Sequence, residues 1–110
     1  MDTVQYRNIV QQILENHAQL VNPKGNTNRS LIFDVQNNHY LYLINDWQDE
    51  SRSYGITLHV DIIDGKIWIQ RDGTEDGIVD DLLEAGVPKE HIVLAYRSPF
   101  VRQFMEFAVS

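Results

Sequence analysis

The sequence predicts an α+β fold: an N-terminal helix, a mainly antiparallel but mixed sheet with one strand–helix–strand unit, and a C-terminal helix. Three observations predict it. Tyr6, Ile9, Val10, Ile13, Leu14 and His17 recur at helical spacing over residues 3–20. Tyr54, Ile56, Leu58, Val60 and Ile62 alternate with Thr57, His59, Asp61 and Ile63, the period of a half-buried strand. A helix-forming segment then leads to the short apolar run Ile92–Ala95, which reads as a buried strand parallel to one before it.

The elements follow in order. Asp2 with Gln5 offers a capping box for the first helix, and the polar stretch 22–28, with Pro23 and Gly25, ends it. Leu31, Phe33 and Val35 alternate as a strand, residues 36–39 turn, and Tyr40–Ile44 runs back. Residues 47–52 read as a charged connection. Asp64-Gly65 is a two-residue hairpin signal, because both central positions of a type I′ turn need positive φ. That turn sets Ile63 opposite Lys66, Ile62 opposite Ile67, Asp61 opposite Trp68, Val60 opposite Ile69 and His59 opposite Gln70. Opposed residues share a face. Val60, Ile62, Ile67 and Ile69 therefore form the apolar face, and His59, Asp61, Trp68 and Gln70 the polar one. A second helix is expected over 75–85, with Thr74 as N-cap, Glu75 and Asp76 in its first turn, and Gly86-Val87-Pro88 ending it. Ser98-Pro99 starts the last helix, with Val101, Phe104, Met105 and Ala108 expected inward.

Composition narrows the function. The 110 residues, 1–110, suit one domain able to bury a core. The absence of cysteine excludes disulfides, thiolate metal sites and a cysteine nucleophile. No apolar run approaches the roughly 18 residues that span a membrane, and no signal pattern opens the chain. A cytoplasmic protein is expected. Sixteen acidic residues against 9 basic ones give a net charge of −7. That balance argues against direct nucleic-acid binding, which depends on basic side chains, and favours a basic protein surface as partner.

Four constellations carry chemistry. Asp72, Thr74, Asp76 and Gly77 match positions of a calcium loop, but the place of the bidentate glutamate holds Leu83; a turn and helix cap is the simpler reading. Asp64 and Lys66 have the spacing of a metal-dependent nuclease, with Asp61 or Glu75 as a further ligand, yet the hairpin places Asp64 in solvent. His59-x-Asp61 could supply two ligands or a general-base pair, but no third ligand is visible, and His17, His39 and His91 look isolated. An aromatic beside hydrogen-bonding groups suits an interface centre instead, so His59, Asp61, Trp68 and Gln70 are assigned as partner-binding. No catalytic residue, cofactor or metal ligand is assigned. Tyr40, Tyr42, Trp47, Tyr54 and Trp68 could stack on bases, but without interleaved basic residues they read as core and sheet. Arg97 and Arg102 make at best a small anion site.

The run L-H-V-D-I-I-D-G-K-I-W-I-Q-R-D-G-T-E-D-G-I, 58–78, resembles the signature of the XisI family, the fdxN element excision controlling factor proteins. Residues 79–96, the ending 104–110, Tyr54-Gly55 and the Y-R-x-I-V-x-x-I-L opening from Tyr6 continue the resemblance, which is most specific over 54–96. The family often has Pro-Pro before its last helix, where this chain has Ser98-Pro99. The resemblance implies an accessory factor for programmed DNA excision during heterocyst differentiation in cyanobacteria. It also implies an XisH-like, endonuclease-related partner, with a site-specific recombinase acting in the same process; a homodimer is compatible with it. It supplies no catalytic residues. The expectation is a non-catalytic controlling protein that binds a partner. The alternatives are a metal-dependent nuclease using Asp61, Asp64, Lys66 and Glu75, and a direct DNA-binding accessory protein.

Overall fold

A computed structural model describes all 110 residues. Helix α1 spans Thr3–Val21 and begins at the expected capping box: Gln5 N–H donates to Asp2 Oδ1 at 2.9 Å, and Asp2 N–H to Gln5 Oε1 at 2.8 Å. Its inward stripe buries Tyr6, Val10 and Leu14, each worth about 1.5–3 kcal/mol of apolar burial. Strands β1 (Arg29–Asp34), β2 (His39–Gln48), β3 (Ser51–Ile63) and β4 (Lys66–Asp72) form an antiparallel meander. Strand β5 (Ile92–Leu94) joins parallel to β4, giving a mixed sheet in the order β1-β2-β3-β4-β5. The fold class read from the sequence is the one observed.

The Asp64-Gly65 turn has φ of 51° and 76° and sets the expected register from Ile63–Lys66 to Val60–Ile69. There the register slips by one residue. His59 pairs with Arg71, and Gln70 is the extra residue of a bulge.

Further expectations are corrected. Val35 lies in the β1–β2 turn, where Asp34 accepts hydrogen bonds from Asn37, so β1 stops at Asp34. Residues 47–52 are not a loop: β2 and β3 run on to a two-residue turn at Asp49-Glu50, with Asp49 at φ 54°. The second helix, α2, spans only Val79–Glu84, with Ile78 and not Thr74 as N-cap. Gly77 at φ 77° breaks any earlier turn, and Asp72 organises the loop. Its Oδ1 accepts from Thr74 N–H (3.1 Å) and Thr74 Oγ1 (2.6 Å), and its Oδ2 from Ile78 N–H (2.8 Å). The carboxylate of the calcium-like motif is thus spent on the backbone.

The last helix, α3, is the single turn Pro99–Arg102. Phe104 and Met105 N–H groups bond three residues back, to Val101 and Arg102 carbonyls. That tighter winding abandons the 3.6-residue stripe. Val101, Phe104 and Met105 are exposed, and Phe107 packs on the core in their place. Ala108 forms a parallel bridge to Val93, its N–H reaching Ile92 O at 2.9 Å.

The end of α2 follows expectation. Gly86 N–H bonds Leu83 O (3.0 Å) and Val87 N–H bonds Leu82 O (3.1 Å), with Gly86 at φ 95° and Val87 buried. Helices α1 and α2 cover one sheet face. The core there unites Tyr6, Val10 and Leu14 with Tyr40, Tyr42, Leu58, Val60, Ile67, Ile69 and Leu82.

Two outcomes are expected. Asp72→Ala removes three hydrogen bonds and lowers stability in urea unfolding by about 1–3 kcal/mol, with added calcium shifting neither protein. His17 stacks edge-on against Tyr42, 5.6 Å between centroids. Its burial lowers its pKa; Asp72 opposes this shift and Arg29 adds to it. The fold therefore favours neutral His17. Its contribution is complete above the unfolded value of about 6.5 and is lost as pH falls through the lower folded value. His17→Gln should flatten that acid-side loss in unfolding curves taken from pH 7.5 to 5.

Candidate functional site

The second sheet face lies opposite α1 and α2, and its composition depends on a bulge. From the Asp49-Glu50 turn the β2–β3 ladder pairs Trp47 with Arg52, Asn45 with Tyr54 and Leu43 with Ile56. Unbroken, it would set His39 opposite Val60. Instead one extra residue in β3, Thr57, shifts the register, so that Tyr42 meets Leu58 and His39 meets Asp61. Below the bulge Tyr54 and Ile56 point to the open face; above it Leu58, Val60 and Ile62 point to the core. The strict alternation read over 54–62 thus changes phase at Thr57.

At the upper end of this face Asp61 is 6% exposed, the only buried charged residue. His39 Nδ1 lies 2.7 Å and His59 Nε2 2.8 Å from the same Oδ1, and Gln70 Nε2 donates to Oδ2 at 3.3 Å. The bulge at Gln70 leaves it within reach. The two imidazoles meet edge to face, 6.2 Å apart. His39 is therefore not isolated: it supplies the third group that sequence reasoning missed. The signal was present only in the β2–β3 register, which a bulge hides. His39, His59 and Asp61 each offer one ligand atom, all within 4.8 Å of one another.

Trp68 stands beside Asp61 on β4, but its ring lies under the Arg102 guanidinium at 5.7 Å. Arg102 also donates to Arg97 O (2.9 Å) and Val109 O (3.0 Å), so the C-terminal segment straps that end of the face. Of the four assigned residues, the structure gathers His59, Asp61 and Gln70 into one hydrogen-bonded group and holds Trp68 under the strap. The nuclease set is not gathered. Asp64 is exposed at the hairpin tip, Lys66 donates to Ser110 O (2.5 Å), and Glu75 lines a groove of about 840 Å³ between α1 and the loop before α2. His91 is also engaged, by the Tyr6 hydroxyl.

At the lower end Trp47 (61% exposed) and Tyr54 (66% exposed) flank Arg52, whose guanidinium lies 5.5 Å from one ring and 4.7 Å from the other. Arg52 Nη2 also donates to Asn45 Oδ1 at 2.7 Å. Sequence reasoning missed this group because no glycine marks the Asp49-Glu50 turn. Tyr40 and Tyr42, by contrast, are core.

The hydrogen bond that His39 donates to the Asp61 carboxylate, with the charges of Asp61 and Asp34, holds His39 above the ordinary imidazole value, and burial opposes this only partly. Its stabilising contribution is complete below about 6.5 and is lost as pH rises through the higher folded value, opposite in sign to His17. An NMR titration of the metal-free protein should place His39 above 6.5, and Asp61→Asn should bring it down.

The chain matches the XisI protein family over residues 1–109. Comparison with curated proteins gives no match. Two crystal structures from Anabaena variabilis ATCC 29413 are similar. One is the fdxN element excision controlling factor XisI, 37% identical, with 97% of each chain covered and a TM-score of 0.86. The other is an XisI-like protein, 36% identical, covering 97% of this chain and 98% of that one, with a TM-score of 0.90. No helix is long and apolar enough to cross a membrane. With the match running from α1 to the segment that straps Trp68, the chain belongs to the XisI family.

Proposed function

We propose that the chain is an accessory controlling factor for excision of a DNA element, and that it acts by docking a partner protein and not by catalysis. The observation that carries this reading is the uncovered sheet face. It runs from Trp47, Arg52 and Tyr54, through Leu43 and Ile56, to His39 and His59. Tryptophan, tyrosine and arginine are the side chains that most often dominate binding energy at protein interfaces. Here Arg52 is already oriented between the two rings and bonded to Asn45, so less of its side-chain entropy is left to lose on docking. The upper polar groups satisfy one another, which leaves shape and apolar area as the main attraction there.

The partner proposed is an XisH-like, endonuclease-related protein, with the site-specific recombinase as a further member of the assembly. A net charge of −7 favours a basic partner surface by long-range attraction. Family membership and the likeness to a controlling factor support the biological setting, and a cytoplasmic location accords with it. The nuclease reading gains no support, since Asp61, Asp64, Lys66 and Glu75 do not converge.

Purified XisH-like partner and this chain should co-elute at micromolar concentration after nuclease treatment. Trp47→Ala and Tyr54→Ala should each weaken the complex by about 30-fold, the equivalent of about 2 kcal/mol, while Gln12→Ala on α1 should leave it unchanged. Failure to co-elute, or co-elution that both ribbon variants retain in full, would sink the proposal.

A further inference from the structure

The geometry points to a divalent transition-metal site formed by His39 Nδ1, His59 Nε2 and the Asp61 carboxylate on the open sheet face. Three observations converge on it. The first is electrostatic. Asp61 is the only buried charged group, and no lysine or arginine pairs with it. A carboxylate removed from water needs cationic compensation, and two imidazoles are its only close ionisable neighbours.

The second is geometric. Ligands at about 2.0–2.1 Å from a tetrahedral zinc ion lie about 3.3 Å from one another. The two nitrogen–oxygen separations are 2.7 and 2.8 Å, and no pair in the set exceeds 4.8 Å. Opening the first two by about half an ångström and drawing the imidazoles together brings all three to coordination distance. Small ring rotations accomplish this, because the His39 side chain is 50% exposed and that of His59 35%. The same exposure leaves the ion a path from solvent.

The third is chemical. Two imidazoles and one carboxylate form a borderline donor set. They favour Zn²⁺, Co²⁺, Ni²⁺ or Fe²⁺ over Mg²⁺ and Ca²⁺, which prefer all-oxygen cages, and over Cu(I), which prefers sulfur. Gln70 already holds the other carboxylate oxygen at 3.3 Å, the kind of outer support that orients a ligating carboxylate. Three protein ligands leave one position for water or for a donor from outside the chain. Metal binding of this kind does not depend on whether a partner docks on the face.

The test is calorimetric titration of chelator-stripped protein with ZnCl₂, alongside visible absorption with CoCl₂. One equivalent per chain should bind with a Kd of about 1 μM or below. His39→Ala and His59→Ala should each weaken binding by at least about 100-fold, and Gln70→Ala by about 10-fold. His17→Gln and His91→Gln should bind as the parent does. Because Asp61 substitutions could disturb folding, a second measurement uses the unaltered protein. Long-range ¹⁵N–¹H spectra should show zinc shifting His39 Nδ1 and His59 Nε2. Binding weaker than about 100 μM, full stoichiometry in the His39→Ala/His59→Ala double variant, or shifts confined to His17 and His91 would each overturn the site.

Discussion

The phase of β3 is the constraint on which the rest of the structure depends. This strand pairs with β2 on one side and β4 on the other, and each ladder slips once, at Thr57 in the first and at Gln70 in the second. Because side chains alternate with period two, a one-residue slip exchanges the faces. Above Thr57 the strand sends Leu58, Val60 and Ile62 into the core and Asp61 outward to His39. Below it the same strand sends Tyr54 and Ile56 outward. A ladder without the bulge could not satisfy both ends. Either the core would lose three aliphatic side chains or the ribbon would lose its aromatic face. Thr57 anchors the irregularity: its hydroxyl donates to Tyr42 O at 3.3 Å and its carbonyl accepts from Gly73 N–H at 2.7 Å. A side chain at Gly73 would crowd this contact, since a Cβ would stand 3.0 Å from that carbonyl oxygen.

This explains which parts could be read from the sequence. The capping box, the Asp64-Gly65 turn and the Gly86 helix end depend on contacts within a few residues, and each appeared where its letters placed it. The same holds for the register near the Asp64-Gly65 turn. What escaped depends on irregularity or on distant chain. No letter marks Thr57 as the extra residue, so His39 looked isolated though it faces Asp61. No glycine marks the Asp49-Glu50 turn, so a long ribbon read as a loop. The C-terminal stripe of Val101, Phe104 and Met105 had helical spacing, but after one turn the chain tightens and Phe107 takes the core position instead.

Three aspartates show how environment divides one chemistry into three roles. Asp64 supplies a positive φ at a hairpin tip and stays in water. Asp72 accepts three hydrogen bonds from the loop that follows it and so fixes the approach to α2. Asp61 is buried among imidazoles, where a negative charge has no permanent counter-ion. Two of the three were weighed as nuclease ligands because their spacing along the chain allowed it. The hairpin separates them by placing one at the tip and the other three residues down a strand that alternates faces.

The contact of Ala108 with Val93 bears on assembly. A sheet's outermost strands carry unpaired backbone groups that can template another strand. On the β5 side the chain's own end occupies part of that edge, and the strap anchored by Arg102 and Lys66 holds it there. The free edge is β1. A sheet blunted at one side cannot add copies head to tail without displacing its own terminus. The last residues thus do two things at once: Phe107 packs on the core, and Ala108 occupies backbone groups that an outer strand would otherwise leave open.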